Sequence, residues 1–180
     1  MDVIETERLR LERLDETHRA HFGRMCSDPR VMRFIGDGAL WSPERFNETF
    51  DKKLRHWEEH GFGWRAALTR EDGQWVGVFA LQPIGGGTLG DVEGLDPEAI
   101  EIGWWVEAEL WGRGYATEAA LALRDEAFGR VGLARLLARL LPENRASAAV
   151  AEKIGLRFER IVQSSGSWID VAVYALDRPA

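Results

Sequence analysis

Residues 101–120 read EIGWWVEAELWGRGYATEAA, and this stretch predicts three structural elements in succession. From Glu101 to Val106 the residues alternate and are rich in aromatic and β-branched types, which is typical of a strand. The alanine-rich segment from Glu118 to Arg130 predicts a helix. Gly112 and Gly114 lie between these elements, and glycine permits a sharp turn and a close approach of the backbone to a ligand.

The composition of this glycine loop suits the binding of a phosphate group. A helix that begins just after the loop would direct its unpaired N–H groups, and the positive end of its dipole, toward an anion. However, the spacing Gly112-x-Gly114 matches neither the dinucleotide fingerprint nor the P-loop, whose Gly-Lys-Ser/Thr ending is missing here. On spacing alone, a tight connection that binds nothing explains the loop equally well.

Several motifs in the same chain order resemble the GCN5-related N-acetyltransferase (GNAT) superfamily. They are Thr6–Leu11, Glu101–Val106, Trp111–Ala119, Pro142–Ser147, Glu152–Leu156 and Trp168–Val171. Within the superfamily, the chain most resembles the ribosomal-protein alanine N-acetyltransferases and their relatives that modify small molecules. Two positions depart from the pattern. Trp111 stands where glutamine or arginine usually opens the loop, and Ala151 replaces a tyrosine that protonates the leaving thiolate in many members.

The resemblance implies an α+β (mixed α/β) fold with a central twisted, mostly antiparallel sheet and helices on both faces. One parallel strand pair in that sheet is splayed. A helix separates the Glu101 strand from the apolar segment Leu133–Leu141, so these two strands should run parallel in a right-handed crossover. We expect residues 1–180 to form a single N-acetyltransferase domain, because the length suits one core and no repeat or linker divides it.

Acetyl-CoA is the cofactor that the resemblance implies, and it assigns main-chain groups to the binding of that molecule. Trp105 and Val106 would offer main-chain groups to pantetheine, and one N–H there could polarise the thioester carbonyl. The pyrophosphate would receive backbone N–H groups from five consecutive residues, namely Arg113, Gly114, Tyr115, Ala116 and Thr117. Several charge-assisted hydrogen bonds can hold two phosphates in this way without a lysine.

Glu101 is the candidate catalytic base. An amine must be unprotonated to attack a thioester, so something has to accept the proton of its ammonium form. Glu101 opens the strand that the resemblance places beside the cofactor, and it could act directly or through a water molecule. A strand-end carboxylate that faces solvent is the alternative. Glu93, Glu98 and Glu107 are weaker candidates in neighbouring loops.

Asn144 and Ser147 begin a predicted helix that ends at Gly155, and each has two interpretations. Asn144 suits a helix cap, and it could also hydrogen-bond to pantetheine or to an ordered water. Ser147 lies one turn later on the same helix face. Its hydroxyl could help to protonate the leaving thiolate, since Ala151 cannot, or it could bond only to its own backbone.

The remaining pattern predicts further helices, strands and loops. Ser42-Pro43 starts a long helix that Gly61 ends. The predicted strands are Leu9–Leu14, the hairpin Trp64–Thr69 with Trp75–Gln82, and a final hairpin of Phe158–Val162 with Trp168–Leu176. The segment from Gly85 to Pro97 reads as a solvated acidic loop or a lid over the substrate. In the resembling family, Met32 to Trp41 and the long helix wall the acceptor side.

Composition narrows the class of protein. The net charge of −7 argues against general nucleic-acid binding, and no apolar run approaches the ~20 residues that span a bilayer. Cys26 is the only cysteine and reads as a packing residue, so an intrachain disulfide is excluded. We expect a cytoplasmic protein, as a monomer or homodimer, without a metal. His56 and His60 have metal-binding spacing but no suggested partner, and are interpreted as solvated helix histidines.

These observations predict an acetyl-CoA-dependent N-acetyltransferase that transfers the acetyl group directly to an amine. The acceptor would be a protein N-terminus or a small-molecule amine such as an amino acid, a polyamine or an aminoglycoside. One alternative is a catalytically weak acyl-CoA-binding module or sensor, which the missing tyrosine at Ala151 makes conceivable. Another is a phosphate-binding domain for a different ligand, which the segment with Asn144 and Ser147 disfavours.

Overall fold

The structure is a computed structural model that describes residues 3–89, 92, 94–164 and 169–179. In this part of the chain, eight strands form one sheet in the order β1-β2-β3-β4-β5-β6-β8-β7. The strands are β1 Val3–Glu5, β2 Leu9–Arg13, β3 Arg65–Thr69, β4 Trp75–Pro83, β5 Ile100–Val106, β6 Arg135–Leu140, β7 Arg157–Gln163 and β8 Asp170–Asp177.

Five α-helices accompany the sheet in the described residues. They are α1 Arg19–Met25, α2 Pro29–Met32, α3 Pro43–His60, α4 Tyr115–Glu126 and α5 Arg145–Lys153. A π-helical turn, Ala127–Val131, continues α4. Among the described helices, none combines the length and the apolar character needed to cross a membrane.

The strand pairing confirms the predicted fold class. Neighbouring strands are antiparallel except for β5 and β6, which are parallel and connected through α4. Apolar side chains form cores on both faces of the sheet. One core packs beneath α4 and α5 around Leu123 and Ile154, and the other beneath α1 and α3 around Phe22 and Phe50. The sheet is therefore covered by helices on both sides.

The caps predicted for the long helix α3 are confirmed. The Ser42 side chain accepts a hydrogen bond from the backbone N–H of Arg45, and Pro43 occupies the first turn. Gly61 ends the helix with φ of 70°, a left-handed conformation that glycine adopts without a steric penalty. Helix α4 instead begins at Tyr115, three residues before the predicted Glu118.

One strand of the structure was not predicted, and part of another predicted strand lies outside the described residues. The sequence did not indicate β1, whose three residues pair only with β2 at one edge of the sheet. A strand of three residues has too little alternation to be recognised. The predicted second strand of the final hairpin begins at Trp168, and the turn before it includes Ser165; both positions lie outside the described residues.

A buried ion pair connects the end of α4 to strand β3. The Arg65 guanidinium in β3 is fully buried, and its Nη2 and Nε lie 2.5 Å and 2.9 Å from the two carboxylate oxygens of Glu126. Arg130 also donates to Glu126, at 2.6 Å. Removing one member would leave a buried charge uncompensated, which typically costs about 3–5 kcal/mol. The pair therefore fixes the position of α4 on the sheet.

We expect Gly77→Ala to weaken the pairing of β4 with β5. A methyl group on Gly77 would lie 2.0 Å from the carbonyl oxygen of Trp105, so the strands would have to separate. Overpacking of this kind costs about 1–3 kcal/mol. Urea unfolding should show the loss, whereas Gly103→Ala, whose methyl would meet Ala80 at 3.8 Å, should unfold near the wild-type midpoint. Equal midpoints for the two variants would contradict this assignment.

Candidate functional site

A cleft opens where β5 and β6 diverge. The two strands share a single register pair, Glu101 with Leu137, and separate beyond it. The walls of the cleft come from β4, β5, β6, the start of α5, Trp64 just before β3, the segment after α2 and the loop after β4. The predicted splayed parallel pair is therefore present, with seven segments around the gap.

The antiparallel register of β4 and β5 determines which main-chain groups face this gap. The N–H of Glu107 donates to the carbonyl of Val76 at 2.9 Å, and opposite residues alternate between bonded and non-bonded pairs along the ladder. Trp105 therefore directs its main-chain groups to β4, whereas those of Trp104 and Val106 face the gap. The sequence analysis expected Trp105 to offer main-chain groups to pantetheine. In the structure, the main-chain groups of Trp104 face the gap instead.

The side chains of the two tryptophans lie on opposite faces of β5, as the alternation predicts. Trp105 is buried among the aromatic residues beneath α1 and α3, with its ring 5.6 Å from that of Trp64. Trp104 packs on the other face, against the core beneath α4 and α5. The carbonyl of Val106 accepts a hydrogen bond of 2.8 Å from the indole N–H of Trp111, so the N–H is the main-chain group of Val106 that remains for a ligand in the gap.

The glycine loop presents a row of unpaired main-chain N–H groups. Among the residues that the structure describes, none accepts a hydrogen bond from the backbone N–H groups of residues 112–117. Gly112 and Gly114 have φ of 76° and 84°, which other residues rarely adopt. Gly114 caps α4, so the N–H groups of Tyr115, Ala116 and Thr117 belong to the first helical turn and point along its axis.

The loop is held in place by residues from the start of the chain. Arg8 Nε lies 2.7 Å from a carboxylate oxygen of Glu118, and the Thr6 hydroxyl donates to that carboxylate at 2.6 Å. Arg8 Nη1 also donates to the carbonyl of Arg113 at 3.0 Å, and its guanidinium lies over the ring of Tyr115. The sequence pointed to Thr6–Leu11 only as a strand motif, and it did not indicate these contacts over more than 100 residues.

Glu101 lies inside the cleft and is only 8% exposed, so it is not the solvent-facing carboxylate of the alternative interpretation. The Arg139 guanidinium binds it through Nε at 2.7 Å and Nη2 at 3.1 Å. The side-chain amide of Gln82 donates to Oε1 at 2.9 Å.

Arg139 is the main site residue that the sequence analysis missed. It is a basic residue within the apolar segment Leu133–Leu141, and a buried charge needs a partner, so this interruption was the available signal. Its Nη2 donates to the carbonyl of Ile84 at 3.0 Å and thereby holds the loop after β4. A methyl group on Gly87 would lie 2.3 Å from Arg139 and 2.4 Å from Glu101, so the loop backbone rests directly on the ion pair.

Asn144 and Ser147 both line the cleft. The Asn144 side-chain oxygen accepts a hydrogen bond of 3.1 Å from the N–H of Ser147, which confirms the predicted helix cap. The Ser147 hydroxyl accepts a hydrogen bond of 3.3 Å from the indole N–H of Trp104. Ala151 is fully buried one turn further along α5. Ser147 is therefore the hydroxyl that α5 brings to the gap.

The other end of the cleft has aromatic and aliphatic walls. Phe34 and Ile35 follow α2, within the segment expected to wall the acceptor side. Leu89 comes from the loop after β4, so part of the segment interpreted as a solvated loop or a lid lines the cleft. Trp64 contributes its ring and donates through its indole N–H to the oxygen of Gln82 at 2.8 Å.

Of the weaker carboxylate candidates, Glu98 and Glu107 do not line this cleft. Glu98 is exposed, and Glu93 lies outside the described residues. Glu107 lines a separate shallow depression with His21 and Trp75, and partial burial raises the pKa of its carboxyl.

Cys26 and the four histidines do not line the cleft. Cys26 is buried, which confirms its packing role, and burial raises the pKa of its thiol to about 12. His60 is exposed and His56 is half-buried, whereas His18 is buried with its ring 5.9 Å from that of Trp75. Among the described residues, no three histidine, cysteine or carboxylate side chains are grouped as metal ligands.

With this geometry established, comparison with known proteins identifies the family. The acetyltransferase (GNAT) domain family matches residues 8–157. The chain belongs to this family. It is 36% identical over 154 residues to YnaD of Bacillus subtilis, an uncharacterised N-acetyltransferase, with 83% of this chain and 82% of that protein aligned.

Solved structures agree with the family assignment. An acetyltransferase from Agrobacterium tumefaciens superposes with a TM-score of 0.78 at 31% identity, covering 98% of this chain and 94% of that one. RimL, a ribosomal α-N-protein acetyltransferase solved in complex with coenzyme A, superposes with a TM-score of 0.73 at 19% identity and 97% coverage of both chains. The second likeness concerns the fold alone. The chain is therefore an N-acetyltransferase, as its motifs predict.

Lys53 is an unexpected basic residue close to this site. It projects from α3 into the aromatic core with 5% exposure, and its ammonium lies 3.9 Å from the ring centre of Trp64. Burial lowers the pKa of this amine to about 7, and the nearby Cys26 and Glu101 only partly oppose the shift. The folded protein thus disfavours the charged form of Lys53.

We expect the free energy of unfolding to rise between pH 7 and pH 8.5. The folded pKa lies below the ordinary 10.5, so in this range the unfolded chain binds the proton that folded Lys53 releases. The gain should be about 1–2 kcal/mol in urea titrations. Lys53→Met should remove it, whereas Lys52→Met at the exposed neighbouring position should retain it. An unchanged gain in Lys53→Met would contradict the shift.

Proposed function

We propose that the chain transfers an acetyl group from acetyl-CoA directly to an amine, either a protein N-terminus or a small molecule. The unpaired backbone N–H groups of residues 112–117 support this proposal most strongly, because they lie at the start of α4 beside the open strand pair. The presence of coenzyme A in the RimL structure supports the same ligand.

The residues around the cleft fit the chemical parts of coenzyme A. We assign the pyrophosphate to the N–H groups of residues 113–117, where several charge-assisted hydrogen bonds and the helix dipole favour an anion. Pantetheine is assigned to the gap between β5 and β6, beside Asn144 and the main-chain groups of Trp104 and Val106. An extended chain there would complete hydrogen bonds that the diverging strands leave unmade.

Direct transfer agrees with the location of the nucleophilic side chains. Cys26 is buried in the core beneath α1 and α3, and the raised pKa of its thiol keeps it protonated. We therefore assign the attack to the amine of the acceptor itself. Glu101 is the carboxylate that would receive the amino group, since it lies where the aromatic end of the cleft meets the gap.

Ser147 is the proposed proton donor to the departing thiolate. Its hydroxyl lines the gap and is held by the indole N–H of Trp104, which as a donor leaves the serine proton available. A thiol with a pKa of about 8.5 needs only modest assistance near neutral pH. The contribution of Ser147 should accordingly be a rate enhancement and not an absolute requirement.

Gly114→Val should raise the Kd of acetyl-CoA at least tenfold, by an order-of-magnitude comparison with the loss of one or two charge-assisted hydrogen bonds. The left-handed φ of 84° disfavours valine, and the added carbon would lie 3.3 Å from Arg8. Gly132→Val is the matched control, because φ there is 82° and the site is remote from the loop. Calorimetry that finds wild-type affinity in Gly114→Val would refute the pyrophosphate assignment.

Ser147→Ala should lower kcat several-fold at pH 7 while the KM for acetyl-CoA changes little. The deficit should shrink above pH ~8.5, where the thiolate departs without a proton. Thiol release measured from pH 6.5 to 9.5 tests this expectation. A deficit that is the same at every pH would assign Ser147 a structural role on α5.

Thiol release with a panel of amines, including an alanine-starting peptide, tests the function as a whole. Acetyl-CoA-dependent turnover of any amine supports the proposal. Tight cofactor binding without turnover of any amine would instead favour the acyl-CoA-binding module.

A further inference from the structure

The carboxylate at the acceptor end of the cleft carries its own counterion. Glu101 and Arg139 are both buried, and two nitrogens of the guanidinium lie 2.7 Å and 3.1 Å from the two carboxylate oxygens. Together the two side chains have no net charge. An ammonium group that entered the cleft would therefore meet a neutral ion pair instead of an uncompensated carboxylate. Its attraction to that pair would offset little of the free energy lost with its hydration.

The hydrogen-bonding capacity of Glu101 is also largely used. A carboxylate offers about four lone-pair sites on its two oxygens. Arg139 occupies one site on each oxygen, and the amide of Gln82 occupies a second site on Oε1 at 2.9 Å. Counting the donors that the structure describes, one site on Oε2 is left. That site suits a single N–H of an incoming amine.

Among the described residues that line the cleft, Glu101 is the only carboxylate, so an entering ammonium finds no second negative charge there. Lys53 places its amine 3.9 Å from the ring centre of Trp64, whose indole N–H donates to Gln82, and Gln82 in turn donates to Glu101. Burial disfavours the charged form of Lys53, so Arg139 is the charged group that the structure places against Glu101. The aliphatic side chains of Ile35 and Leu89 offer no hydrogen bond to a cation.

We propose that the cleft takes the acceptor as the neutral amine, with one N–H donated to Glu101, and so selects amines of low basicity. This inference rests on the proposed acetyl transfer. The favoured class is the α-amino group of a peptide or an amino-acid amide, and the disfavoured class is the alkylamine of a lysine side chain or a polyamine. In this role Glu101 contacts and orients the nucleophile, and it does not have to deprotonate an ammonium.

The reaction balances without a base on the enzyme. The nitrogen lone pair of the neutral amine forms a bond to the thioester carbonyl carbon. The carbon–sulfur bond breaks, and its electron pair stays on sulfur. Nitrogen loses one proton and sulfur gains one, through Ser147 or water, so that an amide and a free thiol result. The amine loses its proton to the solvent before it binds, so the enzyme does not supply the free energy of deprotonation.

The size of the expected preference follows from ordinary amine basicity. An α-amino group with a pKa of about 7.7–8.0 is roughly 9–17% neutral at pH 7, whereas an alkylamine with a pKa of about 10.4 is neutral in fewer than one molecule in ~1,000. The greater nucleophilicity of the alkylamine offsets part of this difference. We therefore expect the less basic amine to have the higher kcat/KM at pH 7, by tenfold or more.

Phenylalaninamide and 2-phenylethylamine are a matched pair of acceptors, because they share the aromatic body and differ only by a carboxamide beside the amine. Thiol release by the wild-type enzyme with saturating acetyl-CoA gives kcat/KM for each from pH 6 to 10.5. We expect each profile to rise with pH and to level off at the titrated pKa of that acceptor. The rise should therefore move to higher pH with the more basic amine.

Profiles that are flat below the pKa of each acceptor and fall above it would show that the ammonium form is bound, and would overturn the inference. An ionisation of the enzyme would appear at one pH for both acceptors, so it cannot imitate the shift. Failure of the proposed function would look different, since neither amine nor any peptide would release thiol although acetyl-CoA binds. The inference alone fails if both amines react with the falling profile.

Discussion

The divergence of two parallel strands is the constraint on which the rest of this structure depends. β5 and β6 are paired at Glu101 and Leu137 and nowhere else along their length. Backbone polar groups inside a protein need partners, and an open strand pair cannot supply them to itself. Helices α4 and α5 cover the sides of the gap, and the pantetheine chain proposed to lie in it would supply the missing partners. The location of the site is therefore a direct consequence of the sheet topology.

Two buried ion pairs hold the elements on either side of that gap. Arg65 and Glu126 fix α4, whose first turn carries the unpaired N–H groups, to strand β3. Arg139 and Glu101 join β5 to β6 at the closed end and also hold the loop after β4. Each pair mainly fixes the relative position of the elements it joins and adds little net stability, because the desolvation of two charges offsets most of their attraction. The Glu101–Arg139 pair thus fixes the width of the cleft at one end, and the Arg65–Glu126 pair fixes the position of the unpaired N–H groups at the other.

Local sequence signals predicted the elements that depend on neighbouring residues. The cap at Ser42 and the end at Gly61 are encoded within short windows, and the parallel relation of β5 to β6 follows from the helix between them; the structure confirms all three. The pairing of Glu101 with Arg139 depends on two residues that are 38 positions apart and meet only in the folded sheet. Which of two adjacent tryptophans faces the gap depends on strand register, and alternation in one strand does not determine register.

The contact of Gly87 with the ion pair limits how this enzyme can diversify. The loop backbone rests on Glu101 and Arg139 so closely that a side chain at position 87 has no room. The loop wall and the carboxylate proposed to contact the acceptor nitrogen therefore form one packed unit. A graft of this loop from a homologue would succeed only if the supporting strand residues travelled with it, and new acceptor preferences should arise more readily at the opposite wall, around Phe34 and Ile35.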